Sequence, residues 1–210
     1  MGTLLSVNVG RPAVVGTWRG HPAHSAIGKV PVPGRIRVEG VNLAGDDQAD
    51  RRVHGGPDKA IYAYASEDSA WWEDILARKV PPGMFGENLT TEGINCSGAI
   101  IGERWRVGTT LLEVCQPRLP CYKLGLRFRD PTMLKRFAMA SRPGAYLRII
   151  EEGDIGQGDQ IEVVSRPDHA VTIAMVSDAI LLDEDLLPEM LAADQLPDEL
   201  RAWIAERAAV

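Results

Sequence analysis

Short, mainly apolar runs, some of which alternate apolar and polar residues, recur through the first 165 residues of the chain. These runs have the length and composition of β-strands, and they lie at residues 4–9, 35–39, 60–64, 104–107, 111–115, 146–150 and 160–164. Gly108 lies at the turn of a predicted hairpin, and residues 21–29 predict a loop or the beginning of another strand. Many short strands joined by Gly-rich turns predict a mainly β protein with some α, built on a closed or partly open β-barrel.

Helices interrupt this β pattern twice and then follow it. Ser66 is a candidate N-cap for a helix that runs to about Lys79, and Asp130 is a candidate N-cap for a helix that runs to about Ala140. Beyond Arg166 the chain has no glycine, and three short helices are predicted at residues 172–181, 184–193 and 197–208. We therefore divide the chain into a β-barrel domain at residues 1–166 and a helical appendage at residues 167–210, which is too small to be stable without docking on the barrel.

The composition narrows the classes of function. The 210 residues carry a net charge of −6, which argues against general nucleic-acid binding because phosphate recognition needs an excess of cations. A local basic pocket remains open, and its candidates are Arg51, Arg52, Lys59, Arg118 and Lys123. The three cysteines do not make a disulfide framework. Neither a signal-peptide pattern nor an apolar run of ~18 residues occurs, so we expect a cytoplasmic protein without membrane contact.

The stretch at residues 116–124 places one cysteine on a stiff loop between two cations. Pro120 fixes its own φ and restricts Leu119, so the chain has little freedom just before Cys121. Arg118 and Lys123 favour the thiolate form, which attacks electrophiles and binds metals. The alternative is a small buried cysteine beside two solvated basic side chains, which is the more frequent arrangement for a free cysteine.

Two further stretches have binding character. In residues 45–59, the Gly55–Gly56 pair permits a positive φ or a close backbone approach to a ligand, and Lys59 adds charge for an anion. In residues 85–90, Gly86 leaves space for a neighbouring group, while Asn88 and Thr90 offer both hydrogen-bond donors and acceptors. The alternatives are a solvated connecting loop for the first stretch and a turn leading into a strand for the second.

These three stretches together resemble the MOSC-domain family, named after the C-terminal domain of molybdenum cofactor sulfurase. The resemblance extends over residues 25–32, 45–64, 82–89, 101–104 and 116–121, and on to the helical tail. It points to the bacterial subgroup that reduces N-hydroxylated compounds and carries a three-helix appendage at its C-terminus. The resemblance implies a barrel similar to that of pyruvate kinase and a molybdenum cofactor of the molybdopterin type.

The resemblance also assigns roles to residues. Cys121 is expected to ligate molybdenum through its sulfur, while Arg118 and Lys123 neutralise the anionic cofactor. The positions expected to contact the pterin or its phosphate are Ser25, Lys29, His54, Gly55, Gly56, Lys59 and Asn88. His54 is also the expected proton donor in catalysis. Cys115 departs from the family pattern, which more often has Ser or Thr there, so a disulfide with Cys121 or a second thiol ligand stays open.

The implied function is an oxidoreductase that converts N-hydroxylated compounds, such as hydroxylaminopurines and hydroxylamines, into amines and thereby detoxifies them. The chain has no flavin or nicotinamide fingerprint and no cysteine set for an iron–sulfur cluster, so an external reductase, expected to be a flavoprotein, must supply electrons. Two alternatives remain: a non-catalytic carrier of the cofactor or its sulfur, and a metal-free sulfur relay through a Cys121 persulfide. We expect a monomer or a homodimer.

Overall fold

A computed structural model describes residues 1–49 and 55–209 of the chain. The strands of this part are β1 (Gly2–Val9), β2 (Ala13–Trp18), β3 (His21–Ser25), β4 (Val30–Pro31), β5 (Arg35–Glu39), β6 (Asn42–Leu43), β7 (Ile61–Ala65), β8 (Leu89–Glu92), β9 (Arg104–Val107), β10 (Thr110–Pro117), β11 (Ala145–Glu151), β12 (Gly153–Gly156) and β13 (Gln160–Ser165). Its α-helices are α1 (Ser66–Leu76), α2 (Tyr122–Phe128), α3 (Met133–Met139), α4 (Ile173–Leu181), α5 (Leu187–Met190) and α6 (Asp198–Ala208).

Seven of the described strands close into a barrel, in the order β13-β9-β10-β11-β7-β8-β1. The pairing of Gly2 with Ile161 joins β1 back to β13 and closes the ring. Six of the seven pairings are antiparallel, while β7 and β8 run parallel, so the barrel is mixed. The closed β-barrel predicted from the recurring short strands is therefore confirmed.

The remaining described strands extend the barrel. β4 continues the ladder of β1, and β5, β6 and β12 form a small separate sheet. β2 and β3 form a two-stranded hairpin that rests on α2, where the Trp18 and Tyr122 rings stack with centroids 4.7 Å apart. The sequence pattern did not predict β2 or β12, because exposed residues fill much of β2 and two glycines lie in the four residues of β12.

Two groups of buried side chains form the core. The larger group fills the barrel and continues into the C-terminal helices, through residues such as Trp105, Leu112, Val176 and Met190. The predicted appendage thus packs on the barrel, while the boundary at residue 166 stays a prediction. The second group is rich in aromatic rings and holds α1, α2 and α3 against β7, the strand that carries Tyr62 and Tyr64.

The helices of the structure differ from the predicted ones mainly at their ends. α1 ends at Leu76 because Ala77 adopts a left-handed conformation (φ 49°), and the N-cap is Ala65, so Ser66 as cap was wrong. α3 begins at Met133, since the Asp130 carboxylate accepts from Thr132 N at 2.9 Å in a turn before the helix. The predicted helix at 184–193 is a 3-10 turn, Glu184–Leu186, followed by the short α5. No helix among the described residues is long and apolar enough to cross a membrane.

Candidate functional site

Cys121 lies at the point where the chain leaves the barrel. β10 ends at Pro117, the next three residues form a loop, and α2 begins at Tyr122 with Cys121 as its N-cap residue in an extended conformation (φ −129°, ψ 165°). Pro120 lacks an N–H and holds the chain before the cysteine in this extended form. The sequence predicted the stiff loop but not α2, because Gly125 in the middle of the helix weakens its pattern.

A cavity in front of Cys121 gathers most of the predicted site residues. Those that line it are Ser25, Lys29, Lys59, Asn88, Arg118, Cys121 and Lys123. They come from four separate parts of the chain, which the fold brings to one place. Gly55 and Gly56 precede Lys59 but are not among the lining residues, and His54, Arg51 and Arg52 lie outside the described residues.

The cation cluster, defined as Arg118 and Lys123 together with the thiol of Cys121, forms one part of the lining. Arg118 is 6% exposed, and its guanidinium lies 5.7 Å from the Tyr62 ring centroid and 5.1 Å from that of Phe137. Its Nη1 atom is buried and has no hydrogen-bond partner among the described residues. A buried donor without a partner is rare, so this atom indicates an acceptor that the described chain does not supply.

Lys123 adds a second positive charge to the same lining. Its side chain is 8% exposed and forms no ion pair within the described part of the chain. Cys121 is half-buried and lines the same cavity as the two cations. The cation cluster therefore suits an anionic ligand that also carries a metal able to accept a sulfur ligand.

The ion-pair network, defined as Lys29, Asp46 and Asn88, forms another part of the site and is internally balanced. Lys29 Nζ lies 2.5 Å from the Asp46 carboxylate oxygens, and both side chains are almost fully buried. Burial lowers the pKa of Lys29, although the Asp46 carboxylate acts in the opposite direction. Asp46 also accepts from Gly10 N at 2.7 Å and from Asn88 Nδ2 at 2.9 Å. The charge of Lys29 is thus neutralised by a residue that the sequence analysis did not single out.

The side-chain polar atoms of Asn88 are likewise hydrogen-bonded within the protein. Its Nδ2 also donates to Asn8 O at 3.2 Å, and its Oδ1 accepts from Tyr62 N at 3.1 Å. The neighbouring Glu87 is fully buried and accepts from Gly83 N, Phe85 N and Thr90 Oγ1 at 2.6, 3.0 and 3.0 Å. Burial raises the pKa of Glu87 against the effect of these donors. This turn of the chain therefore holds the cavity in shape.

Two glycines do what the sequence predicted of them. Gly56 has φ 95°, in the left-handed region that favours glycine, and leads into the 3-10 turn Pro57–Lys59. Gly86 has φ 80°, and a Cβ there would lie 2.8 Å from Ile27 Cγ1. The 3-10 turn is anchored by Asp58, whose carboxylate pairs with Arg148. These contacts fix the backbone that carries Lys59.

The other two cysteines are enclosed in the core. Cys115 Sγ donates to Asp58 O at 3.0 Å, and burial raises the pKa of its thiol. Burial likewise raises the pKa of Cys96 to about 12. All three cysteines are free, and Cys115 does not line the cavity, so neither a disulfide with Cys121 nor a second thiol ligand is present in this arrangement.

Aromatic side chains complete the lining, and the sequence analysis did not assign them to the site. Tyr62, Phe85 and Tyr146 all line the cavity. The rings of Tyr62 and Tyr146 lie 5.2 Å apart, and the Tyr62 hydroxyl donates to Pro143 O at 2.7 Å. Two of the three lie in strands that were predicted correctly, but which face of a strand meets a cavity is a property of the assembled barrel. The lining thus offers flat apolar faces beside two cations.

The fold and the site together define a β-barrel protein whose cavity is lined by a half-buried cysteine and by buried cations. The chain matches the MOSC domain over residues 50–162 and belongs to the MOSC-domain family. YiiM of Escherichia coli is 34% identical over 179 residues, which cover 80% of this chain and 78% of that protein. The family and the bacterial subgroup expected from the sequence are confirmed.

A solved structure and a further relative extend this similarity. The crystal structure of YiiM from Geobacillus stearothermophilus aligns with a TM-score of 0.81 at 28% identity, over 99% of this chain and 100% of that one. A protein of Gibberella moniliformis named "Reductase" is 31% identical over 204 residues, which are 93% of this chain but 35% of that protein. The chain therefore matches this YiiM structure over its whole length, but it spans only about a third of the protein named "Reductase".

Proposed function

We propose that the protein binds a molybdenum cofactor and reduces N-hydroxylated compounds to amines. The observation that carries the proposal is the buried, unpartnered Nη1 of Arg118 beside the half-buried thiol of Cys121. An anionic cofactor with a metal centre satisfies both at once, since the guanidinium recognises phosphate and the thiolate is a strong metal ligand. Membership of the MOSC-domain family and the relative named "Reductase" support the same proposal.

The residues of the cavity fit the cofactor in distinct ways. Cys121 holds the metal, and Arg118 and Lys123 balance the negative charge of the phosphate and of the sulfur ligands. When bound, the cofactor supplies a metal centre that exchanges two electrons with the substrate. Ser25, Lys59 and the backbone at Gly55 and Gly56 remain our predicted contacts to the pterin or its phosphate.

Other side chains shape the space for substrate. Tyr62, Phe85 and Tyr146 provide apolar faces that orient a flat substrate and exclude water. We now assign Lys29 and Asn88 to supporting the cavity, because their polar atoms are already bonded to the protein. His54, which lies outside the described residues, remains our predicted proton donor. Electrons come from an external flavoprotein reductase, and the protein acts in the cytoplasm as a monomer or homodimer.

The decisive experiment uses protein made in a host that synthesises the cofactor. We expect about one molybdenum atom per chain and pterin fluorescence after denaturation, and Cys121→Ala should lose the metal. Cys115→Ala is the matched control, because it removes a nearby thiol that does not line the cavity, and it should keep the metal. Wild-type metal content in Cys121→Ala would refute the ligand assignment.

Turnover separates the enzyme from the alternatives. With chemically reduced methyl viologen as donor, we expect the metal-loaded protein to convert hydroxylamine or an N-hydroxylated purine to the amine. Metal without turnover would identify a cofactor carrier instead. A persulfide on Cys121 in a chain that never takes up molybdenum would identify a sulfur relay.

A further inference from the structure

Positive charge is concentrated in the segment that follows the cavity. Residues 118–142 include seven Lys or Arg and one Asp, whereas the whole chain has 23 basic and 29 acidic residues. The C-terminal segment 167–210 has the opposite balance, with two Arg and ten Asp or Glu. A basic surface on an acidic protein generates a local field that attracts acidic partners.

Four arginines extend this charge along α2. We define the α2 basic face as Arg19, Arg78, Arg127 and Arg129. The Arg19 guanidinium lies 5.9 Å from the ring centroid of Trp18, which stacks on Tyr122 at the beginning of α2. At the other end, Arg78 donates to the Phe128 carbonyl at 3.0 Å, and Arg127 and Arg129 lie in the last turn and at the C-cap.

The protein does not neutralise these four charges within its described residues. None of the four forms an ion pair there, and the Nε of Arg127 is buried without a hydrogen-bond partner. Two arginines of the same basic segment behave differently, since Arg136 pairs with Asp130 and Arg142 pairs with Asp68. Pairing is therefore available nearby, and the α2 basic face is left open to an outside partner.

The same surface also includes an exposed aromatic side chain, that of Trp18. Trp18 is 43% exposed, although its ring stacks on Tyr122. Among the described strands β2 and β3 pair only with each other, and an isolated two-stranded hairpin is marginally stable, so this hairpin depends on its contact with α2. Tryptophan and arginine are the residues most enriched at the energetic centres of protein interfaces.

We propose that the α2 basic face is the docking surface for an acidic, flavin-carrying electron donor of the flavodoxin type. The inference rests on the proposed function, which requires an external reductase. α2 begins one residue after Cys121, and Arg127 lies about 9 Å further along the helix axis at 1.5 Å per residue. A partner bound there sits beside the cavity. Charge-steered electron-transfer contacts are small and salt-sensitive, and a surface with several arginines and one partly exposed tryptophan suits them.

The test uses the metal-loaded protein and purified flavodoxin, a small acidic flavoprotein, as the probe. Oxidised flavodoxin should bind the wild-type protein at low salt, and Arg129→Glu should weaken binding roughly tenfold. The matched control is Arg207→Glu on α6, an equal charge change at an exposed arginine outside the face, which should bind like wild type. The difference should vanish near 1 M salt, where the screening length is about 3 Å.

Turnover adds a readout that distinguishes the two hypotheses. With reduced flavodoxin as donor, Arg129→Glu should raise the KM for flavodoxin, while the rate with methyl viologen stays at the wild-type level. Absence of turnover with methyl viologen in every variant would refute the proposed function. The binding measurement would then still test the docking proposal by itself. Absence of flavodoxin binding at low salt, or equal binding by wild type and Arg129→Glu, overturns the docking proposal. The docking proposal is also overturned if the protein self-associates, or binds a DNA duplex, and Arg129→Glu abolishes that interaction.

Discussion

The ion-pair network, through Lys29 and Asn88, and the cation cluster line the same cavity, but their charges are neutralised in different ways. In the network, Lys29 and Asp46 neutralise each other, and Asn88 bonds to both Asp46 and the backbone. In the cluster, Arg118 keeps a buried donor without a described partner, and Lys123 has no described ion pair. The first arrangement stabilises the fold by itself. The second leaves a buried donor unsatisfied, and this supports the proposed anionic ligand.

This difference separates shaping residues from binding residues more clearly than residue type does. Lys29 and Lys123 are both buried lysines at the cavity, yet one is paired and the other is not. A buried, unsatisfied donor costs about 1–3 kcal/mol, which a protein recovers only when a ligand arrives. The comparison predicts that the network matters for folding and the cluster matters for binding.

The largest expected effect is the loss of the buried ion pair. Asp46→Ala should lower the free energy of unfolding by about 3–5 kcal/mol, because it leaves the Lys29 ammonium buried without its carboxylate. Urea unfolding of the cofactor-free protein measures this loss. The double variant Lys29→Met/Asp46→Asn should recover much of it, since no uncompensated charge remains.

A surface pair provides the control for that measurement. Lys79 and Glu73 are 2.9 Å apart, but Lys79 is almost fully exposed, so Lys79→Met should leave the unfolding midpoint nearly unchanged. If Asp46→Ala were as mild as Lys79→Met, the buried pair would not contribute to folding and the comparison would fail.

A smaller effect should distinguish the two neighbouring cysteines. Cys115→Ala should destabilise the cofactor-free protein by about 1–2 kcal/mol, since it removes a buried side chain and its hydrogen bond to Asp58. Cys121→Ala should change stability by less than about 0.5 kcal/mol, because the thiol opens on the cavity. Equal losses in the two variants would mean that Cys121 is a core residue.

Arg118→Met should have little effect on the stability of the cofactor-free protein. Removing the unsatisfied donor gains about 1–3 kcal/mol and removing the two cation–π contacts loses about 0.5–2 kcal/mol, so the two nearly cancel. The control is Arg148→Met, which removes the ion-pair partner of Asp58 and one of the two arginine partners of Glu113, and it should unfold at lower urea. A large loss in Arg118→Met would show that Arg118 is structural.

The smallest effect is a pH dependence from Glu87. Its pKa is raised by burial, so as pH rises above the ordinary value of 4.5 the unfolded state ionises first. The contribution of Glu87 to stability is therefore fully present below that value and declines as pH rises through the raised pKa. The stability difference between wild type and Glu87→Gln should fall between pH 4 and pH 8. A difference that rises instead would show that the three donors to the carboxylate outweigh its burial.

Local patterns determined much of the fold. The alternation at residues 35–39 and 104–107 indicates strands because side-chain direction alternates along any strand, and the stretch around Cys121 indicated the site because proline restricts its neighbours. The predicted first residues of two helices in the tail were also nearly correct, since Thr172 is the N-cap of α4 and Asp183 is the N-cap of the 3-10 turn that follows. All of these signals lie within a few residues of the feature they predict.

The sequence by itself therefore determined most of the barrel strands, the helical tail and the family, and it predicted Cys121 as the reactive cysteine. Only the tertiary structure decided that Gly2 pairs with Ile161 to close the barrel, and that Lys29 is neutralised by Asp46 while Arg118 is not. The physical reason is that periodicity, capping and proline restriction act between neighbours in the chain. The balance of a buried charge depends on which groups stand within a few ångströms of it in space.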